Sequence, residues 1–283
     1  MTRLFMSVMV ALALFIPAGH AKAALTLHYQ QVTQSIQPQS GDLMGINCPA
    51  GTRIVSGGWQ ESNAAYGPHL AVWVSRQIGN GWRLMTYNTH GSAILAITGY
   101  AVCASGVAGI TSYFSSVGVN VPAFSGNSGS AFCTSGGLPT GGGFDSNFPK
   151  PSELLAHASY PGFGNVWTTS EYNSTNQGKS FTAFVTCLTN LNGFVTPVQG
   201  NTVNFGNGAS PTLTVECNFG DFAIGGGFYT LASGSLSSTL QSVRTITNRP
   251  DTTNSRRWLV RAYNANPFEQ AQVIPVANCL HVN

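Results

Sequence analysis

The chain has 283 residues, only 7% of them charged and 33 of them glycine, whereas an average soluble protein is about a quarter charged. Its net charge of +3 is spread too thinly for the dense cationic footprint of a nucleic-acid binder. A content of 43% apolar residues, with plentiful aromatics, excludes a disordered chain.

The first element is a leader. Arg3 precedes an apolar run from Leu4 to Ile16, and Ala21-Lys22-Ala23 supplies small residues for cleavage. This layout predicts a secretory signal peptide over 1–23, with a run too short for a comfortable membrane span. The protein is therefore expected to be secreted, extracellular or periplasmic. Without Arg3 and Lys22 the chain keeps ten basic and nine acidic side chains, close to neutrality. No later stretch is long and apolar enough to predict a transmembrane segment.

Beyond the leader, one pattern is written three times. Residues 48–59 read "CPAGTRIVSGGW", 133–144 "CTSGGLPTGGGF" and 217–228 "CNFGDFAIGGGF". Each copy continues to a Trp-x4-Tyr-Asn block, with Trp82 and Asn88, Trp167 and Asn173, and Trp258 and Asn264, and then to a closing cysteine, Cys103, Cys187 or Cys279. Blocks recurring in register define an internal repeat. The predicted organisation is a signal peptide over 1–23 and β repeats over 24–108, 109–192 and 193–283. Six cysteines allow 15 connectivities. A unit copied three times most simply carries its own bridge, so the expected pairs are Cys48–Cys103, Cys133–Cys187 and Cys217–Cys279. Chain-entropy arguments assign each about 4 kcal/mol.

Within each copy the segments read as strands. Alternate residues leading to the closing cysteines are apolar, such as Phe181, Ala183, Val185 and Cys187. The tryptophan segments are rich in β-favouring residues, and turn signals at Asn80-Gly81 and Gly164-Asn165 precede two of them. Glycine pairs inside a strand pattern mark bulges or the close approach of another backbone. Three copies meeting at a common axis require such an approach from each. The predicted fold is all-β: three tandem disulfide-stapled repeats packed as one pseudo-threefold body, the alternative being three independent sandwiches.

The Cys-Pro-x-Gly … Gly-Gly … Trp … Asn … Cys unit, complete in the first copy, resembles a repeat of bacterial secreted and phage-related proteins, most without an assigned activity. In the other two copies Thr134 and Asn218 replace the proline. The resemblance implies a secreted β repeat and no particular chemistry.

Catalytic motifs are weak. "GNSGS" at 126–130 is similar to the nucleophile setting of trypsin-like proteases, with Ser128 as the serine, but the same stretch aligns with "GDLMG" and "SPTLT" as a polar turn ahead of the cysteine strand. Asp145 and Glu153 are a carboxylate pair for glycoside hydrolysis, without counterparts in the other copies. Neither calcium-loop nor zinc spacing occurs, and no cofactor is expected. Trp82, Trp167, Trp258, Asn88, Asn173 and Asn264 recur in every copy and are read as scaffold, the tryptophans packing near the disulfides and the asparagines closing turns. The sequon at Asn173 matters only in a eukaryotic secretory route.

Ligand recognition is sought where the copies differ, in 60–81, 145–166 and 229–257. These carry Tyr66, His69, Phe148, His157, Tyr160, Phe163 and Tyr229, and, in the third copy, Arg244, Arg249, Arg256 and Arg257. Tyr66, His69, Tyr160 and the four arginines are the candidate ligand-binding set, since arginine forks suit carboxylate or phosphate oxygens. The sequence favours a binding or adhesion module for a surface glycan or an extracellular protein. A polymer hydrolase using a carboxylate pair and a structural envelope or particle component are the alternatives. Oligomeric state is left open.

Overall fold

The computed structural model describes residues 25–134, 136–146, 153–191, 193–232 and 242–282. The predicted signal peptide lies outside them. The described chain is built of strands, as the period-two pattern predicts, with one short 3₁₀ turn at Ala64–His69. Its first third supplies β1 (Thr26–Ile36), β2 (Ser40–Asn47), β3 (Arg53–Glu61), β4 (Leu70–Ile78), β5 (Gly81–Asn88) and β6 (Leu95–Ser105). The second supplies β7 (Thr111–Val121), β8 (Gly126–Phe132), β9 (Leu138–Asp145), β10 (Leu154–Pro161), β11 (Val166–Asn173) and β12 (Lys179–Thr189). The last supplies β13 (Gly193–Gln199), β14 (Val203–Phe205), β15 (Thr212–Glu216), β16 (Phe222–Ala232), β17 (Val243–Pro250), β18 (Arg257–Asn264) and β19 (Ala271–Val282).

No sheet belongs to one third alone. The sheet orders are β1-β6-β3-β17-β18-β15, β7-β12-β9-β4-β5-β2 and β13-β19-β16-β10-β11-β8, with β14 added on β19. Each sheet joins a cysteine-bearing half from one third to a tryptophan-bearing half from another. The thirds are thereby linked cyclically, first to last, second to first and last to second. At each join two rungs are made at equivalent places: Gln60 and Trp59 against Thr247 and Asn248, Asp145 and Phe144 against Val74 and Ser75, Tyr229 and Phe228 against Ala158 and Ser159. The three lobes are one body rather than separate sandwiches.

The glycine pairs permit this closeness. A Cβ on Gly58, Gly143 or Gly227 would collide with the carbonyl oxygen of Asn248, Ser75 or Ser159 on the strand across the join. A Cβ on the preceding Gly57, Gly142 or Gly226 would enter the indole of Trp82, Trp167 or Trp258. One glycine of each pair thus seats the lobe's own tryptophan, and the other admits the neighbouring lobe.

Just before the pairs, β3, β9 and β16 each carry a bulge against the closing-cysteine strand, at Val55, Thr140 and Ile224. The bulges meet one another. Ser56 donates to the Ile224 carbonyl at 2.5 Å, Thr140 donates to the Val55 carbonyl at 2.8 Å, and a Cβ on Gly225 would strike the Thr140 carbonyl. Bulges supply the local kink that lets three strands converge on an axis. The aromatics after the glycines complete the centre, with Trp59 edge-on to Phe144 at 6.3 Å and to Phe228 at 6.1 Å.

The bridges are Cys48–Cys103, Cys133–Cys187 and Cys217–Cys279. Each opening cysteine also donates its N–H to the tip of its lobe's tryptophan hairpin, at Asn80, Asn165 and Arg256. Burial near the closing cysteines is continuous over residues 99–104 rather than alternating. The outward Tyr100 is covered by Arg249 from the joined strand, 5.3 Å from its ring centroid. The stretch 126–130, expected as a turn, is strand β8, paired along β11. Its small polar residues sit on an exposed sheet edge, where they read like a turn.

Candidate functional site

The residues common to all copies point inward. Trp82, Trp167 and Trp258 are at most 1% exposed, and their indole N–H groups donate to Ser75, Ser159 and Asn248. Asn88, Asn173 and Asn264 are fully buried. Each amide donates to a backbone carbonyl before the turn and one within it, and its oxygen accepts an N–H two residues on. No face of these residues is left for a sugar, and folded Asn173 offers no nitrogen for glycosylation.

On the outer faces of the three joins, equivalent positions hold different chemistry. In one sheet Arg249 lies over Tyr100, whose hydroxyl donates to Gln60 at 3.1 Å. In the next Arg76 lies 4.7 Å from the Phe184 ring centroid and pairs with Asp145 at 2.9 Å. In the third two tyrosines replace these groups, Tyr160 and Tyr229, with ring centroids 5.4 Å apart. Burial and the proximity of Tyr229 raise the Tyr160 pKa.

The candidate ligand residues do not form one patch. Arg256 and Arg257 grip the same carboxylate, Glu216, at 2.5 and 2.9 Å, and Arg256 also covers Phe219. Arg249 belongs to the outer face of the first join, Tyr160 to that of the third. Arg244, five residues before Arg249 on β17, instead lines a small cavity with Trp59, Phe144 and Phe228. His69 ends the 3₁₀ turn with its ring 4.5 Å from His90, and burial together with that neighbour lowers its pKa. The backbone of Tyr66 lies in the same turn; its side chain, and all of Phe148, fall outside the described residues.

The carboxylates are likewise held apart. Asp145 pairs with Arg76 and Glu153 with Lys179, so the pair considered for hydrolysis is engaged by separate cations. Glu171 is fully buried, accepts a hydrogen bond from Ser146 at 2.8 Å, and is pushed by burial to a pKa of about 8. Ser128 shares a 2.6 Å hydrogen bond with Ser170.

An open groove of about 400 Å³ runs between the β4–β5 turn of the first lobe and β7 of the second. Gly79 and Asn80, the two turn residues, form one wall; Ser112, Tyr113 and Phe114 form the other; Arg53 and Gln77 complete the lining. Gln77 is 3% exposed, and its amide N–H₂ donates to the Gly79 carbonyl at 3.0 Å, while its Oε1 has no partner. Such an orphaned acceptor is costly unless something supplies a donor. Phe114, 47% exposed, and the exposed Arg53 flank it. None of the candidate ligand residues whose side chains are described lines this groove. A signal for it stood in the sequence: two adjacent aromatics, Tyr113-Phe114, in a strand whose side chains alternate, so that one must face out.

Among the described residues no group of three or more His, Cys, Asp or Glu is arranged to hold a metal, and no helix is long and apolar enough to cross a membrane. No family model matches the chain, and no curated protein does either.

Proposed function

We propose that this protein is an exported, disulfide-stapled binding module, related to the secreted bacterial and phage-associated β repeats that its sequence resembles, and that it recognises a surface glycan in the groove between the β4–β5 turn and β7. The observation that carries this reading is the open groove itself, whose lining includes an exposed aromatic ring, Phe114, and a guanidinium, Arg53. The Phe114 ring takes the apolar face of a pyranose, and Arg53 meets a ring or acidic oxygen. The rigid frame supports the reading as well, because the turn and β7 are fixed by the hairpin and by pairing along β12. Binding to a fixed groove avoids the ordering cost that weakens mobile sites.

The test is a glycan and envelope-polysaccharide array probed with the oxidised protein, Phe114→Ala, Arg53→Ala, and a variant carrying Arg249→Ala, Arg256→Ala and Arg257→Ala. Binding lost in the first two and kept in the third is expected, with at least a tenfold weakening for Phe114→Ala. Binding that survives both groove changes, or an array with no signal, would overturn the assignment.

A further inference from the structure

Strand register decides which corners of the three lobes share a face. In every lobe the opening cysteine, the tip of the tryptophan hairpin and the end of the closing-cysteine strand lie together. The antiparallel joins turn these three corners toward the same end of the axis. The second and third lobes touch there, the Asn278 amide donating to the Pro139 carbonyl at 2.5 Å, and the first and second flank the groove there. Seven phenylalanines are exposed among the described residues, and five of them, Phe114, Phe132, Phe163, Phe194 and Phe219, are at this end. Phe124 and Phe268 are at the other, beside the turns that follow Asn173 and Asn264.

Phe163 and Phe219, 90% and 93% exposed, stand beyond the strand ends in hydrogen-bonded turns, where the Gly162 N–H donates to the Val166 carbonyl and the Asp221 N–H to the Asn218 carbonyl. The turn does not require the ring: the first lobe closes the equivalent of the Phe219 turn, Thr52 N–H to Pro49 carbonyl, around Ala50. Each ring has an aromatic companion. Phe132 pairs with Val166 beside the Phe163 tip, and the Phe194 ring lies 4.9 Å from His281, which meets Asp221 at 2.8 Å. Charge is divided along the same axis. Arg53, Arg76, Arg83, Arg256 and Arg257 lie toward this end against Glu216, Asp221 and Asp251, whereas toward the other end Asp42, Glu61, Glu153, Glu171 and Glu269 outnumber Arg244 and Lys179. Two aromatic corners separated by polar turns do not make the continuous, closely packed surface that a protein partner needs. A soft planar surface engages both at once. Exposed rings among arginines suit a bilayer's headgroup region, and the excess of arginine suits anionic lipid.

We propose that the cysteine end of this protein docks on an anionic phospholipid surface, Phe163 and Phe219 entering the headgroup region while the arginines meet lipid phosphates. This goes beyond recognition of a glycan in the groove, and vesicles that carry no glycan test it separately, so either reading fails without the other. The oxidised protein is sedimented with phosphatidylcholine vesicles prepared with and without phosphatidylglycerol. Binding is expected to the vesicles that contain phosphatidylglycerol and to weaken as salt rises. Phe163→Ala combined with Phe219→Ala should weaken it at least about tenfold, with the melting temperature unchanged because both rings are already in solvent. Phe268→Ala, at the opposite end, should bind like the parent. Phe163→Trp should place an indole at the tip whose emission shifts to the blue on the same vesicles. No binding, full binding by the double variant, or an equal loss in Phe268→Ala would sink the proposal. So would a dimer seen by light scattering without lipid and abolished in the double variant, which would assign the face to a second copy of the chain.

Discussion

The two sides of each join differ in how much they vary. On the inner side the three copies are nearly interchangeable: a glycine under a tryptophan, a glycine against a neighbour's carbonyl, a bulge against a bulge. On the outer side the same geometry carries Arg249 with Tyr100 and Gln60, Arg76 with Phe184 and Asp145, or Tyr160 with Tyr229. Where backbone meets backbone there is room for one solution. Where side chains face solvent, position is kept and chemistry drifts.

The largest expected effect breaks the inner side. Gly143→Ala forces a methyl into the Ser75 carbonyl and should cost at least about 4 kcal/mol, among the severe end of single substitutions, read by denaturant unfolding. Gly45→Ala, with nothing within 4 Å of the new methyl, is the matched control and should leave stability unchanged or slightly raised. Replacing both Cys133 and Cys187 by Ala should cost about 2–5 kcal/mol, and comparison of the three bridges tells whether the lobes are as equivalent in energy as in geometry. Asn173→Ala leaves buried carbonyls and the Thr175 N–H without their partner and should cost about 3 kcal/mol.

A subtler change sharpens the contrast in pH. The Glu171 carboxyl titrates near 4.5 when unfolded and near 8 when folded. Between those values the folded state holds a proton that the unfolded chain has released, so stability falls as pH rises from about 4.5 to 8 and levels off above. Glu171→Gln removes that decline, leaving Glu61, raised by burial to about 7, to contribute a shallower one. His157 shapes the acid side: burial lowers its pKa to about 4, so stability is lost as pH falls from 6.5 toward 4, and the Glu171 variant should leave that limb intact. Melting temperature against pH for the two proteins checks both limbs. The smallest effect belongs to the surface, where Arg257→Ala, at the exposed end of the Glu216 pair, should change stability by less than about 1 kcal/mol.

Much of the frame was legible because a repeat imposes its own bookkeeping. The cysteine pairing, the strands and the reason for the Gly-Gly pairs come from register and period alone. What the linear pattern does not carry is long-range partnership. Nothing in "WRLMTYN" or "WLVRAYN" tells that β5 and β18 complete sheets with strands of another copy. The arginines misled for the same reason: Glu216 meets Arg257 only through the β15–β18 pairing, and Arg249 meets Tyr100 only through the join of β3 and β17. The groove escaped notice because its two walls come from different copies, and variation was sought within each copy's own loop.

The cyclic sharing of sheets has a consequence for how the chain is made. Trp59 donates to Thr245, 186 residues later, and Ser56 to Ile224, 168 residues later. A chain delivered from its N-terminus therefore holds β3 as an open edge until nearly all of it has arrived, and such edges recruit wrong partners. The ring closes last at the seam between β3 and β17, so the slow step of maturation is expected to be circular closure rather than the folding of any lobe. A chain cut short within its final third would leave an incomplete ring with one adhesive rim, not two finished lobes.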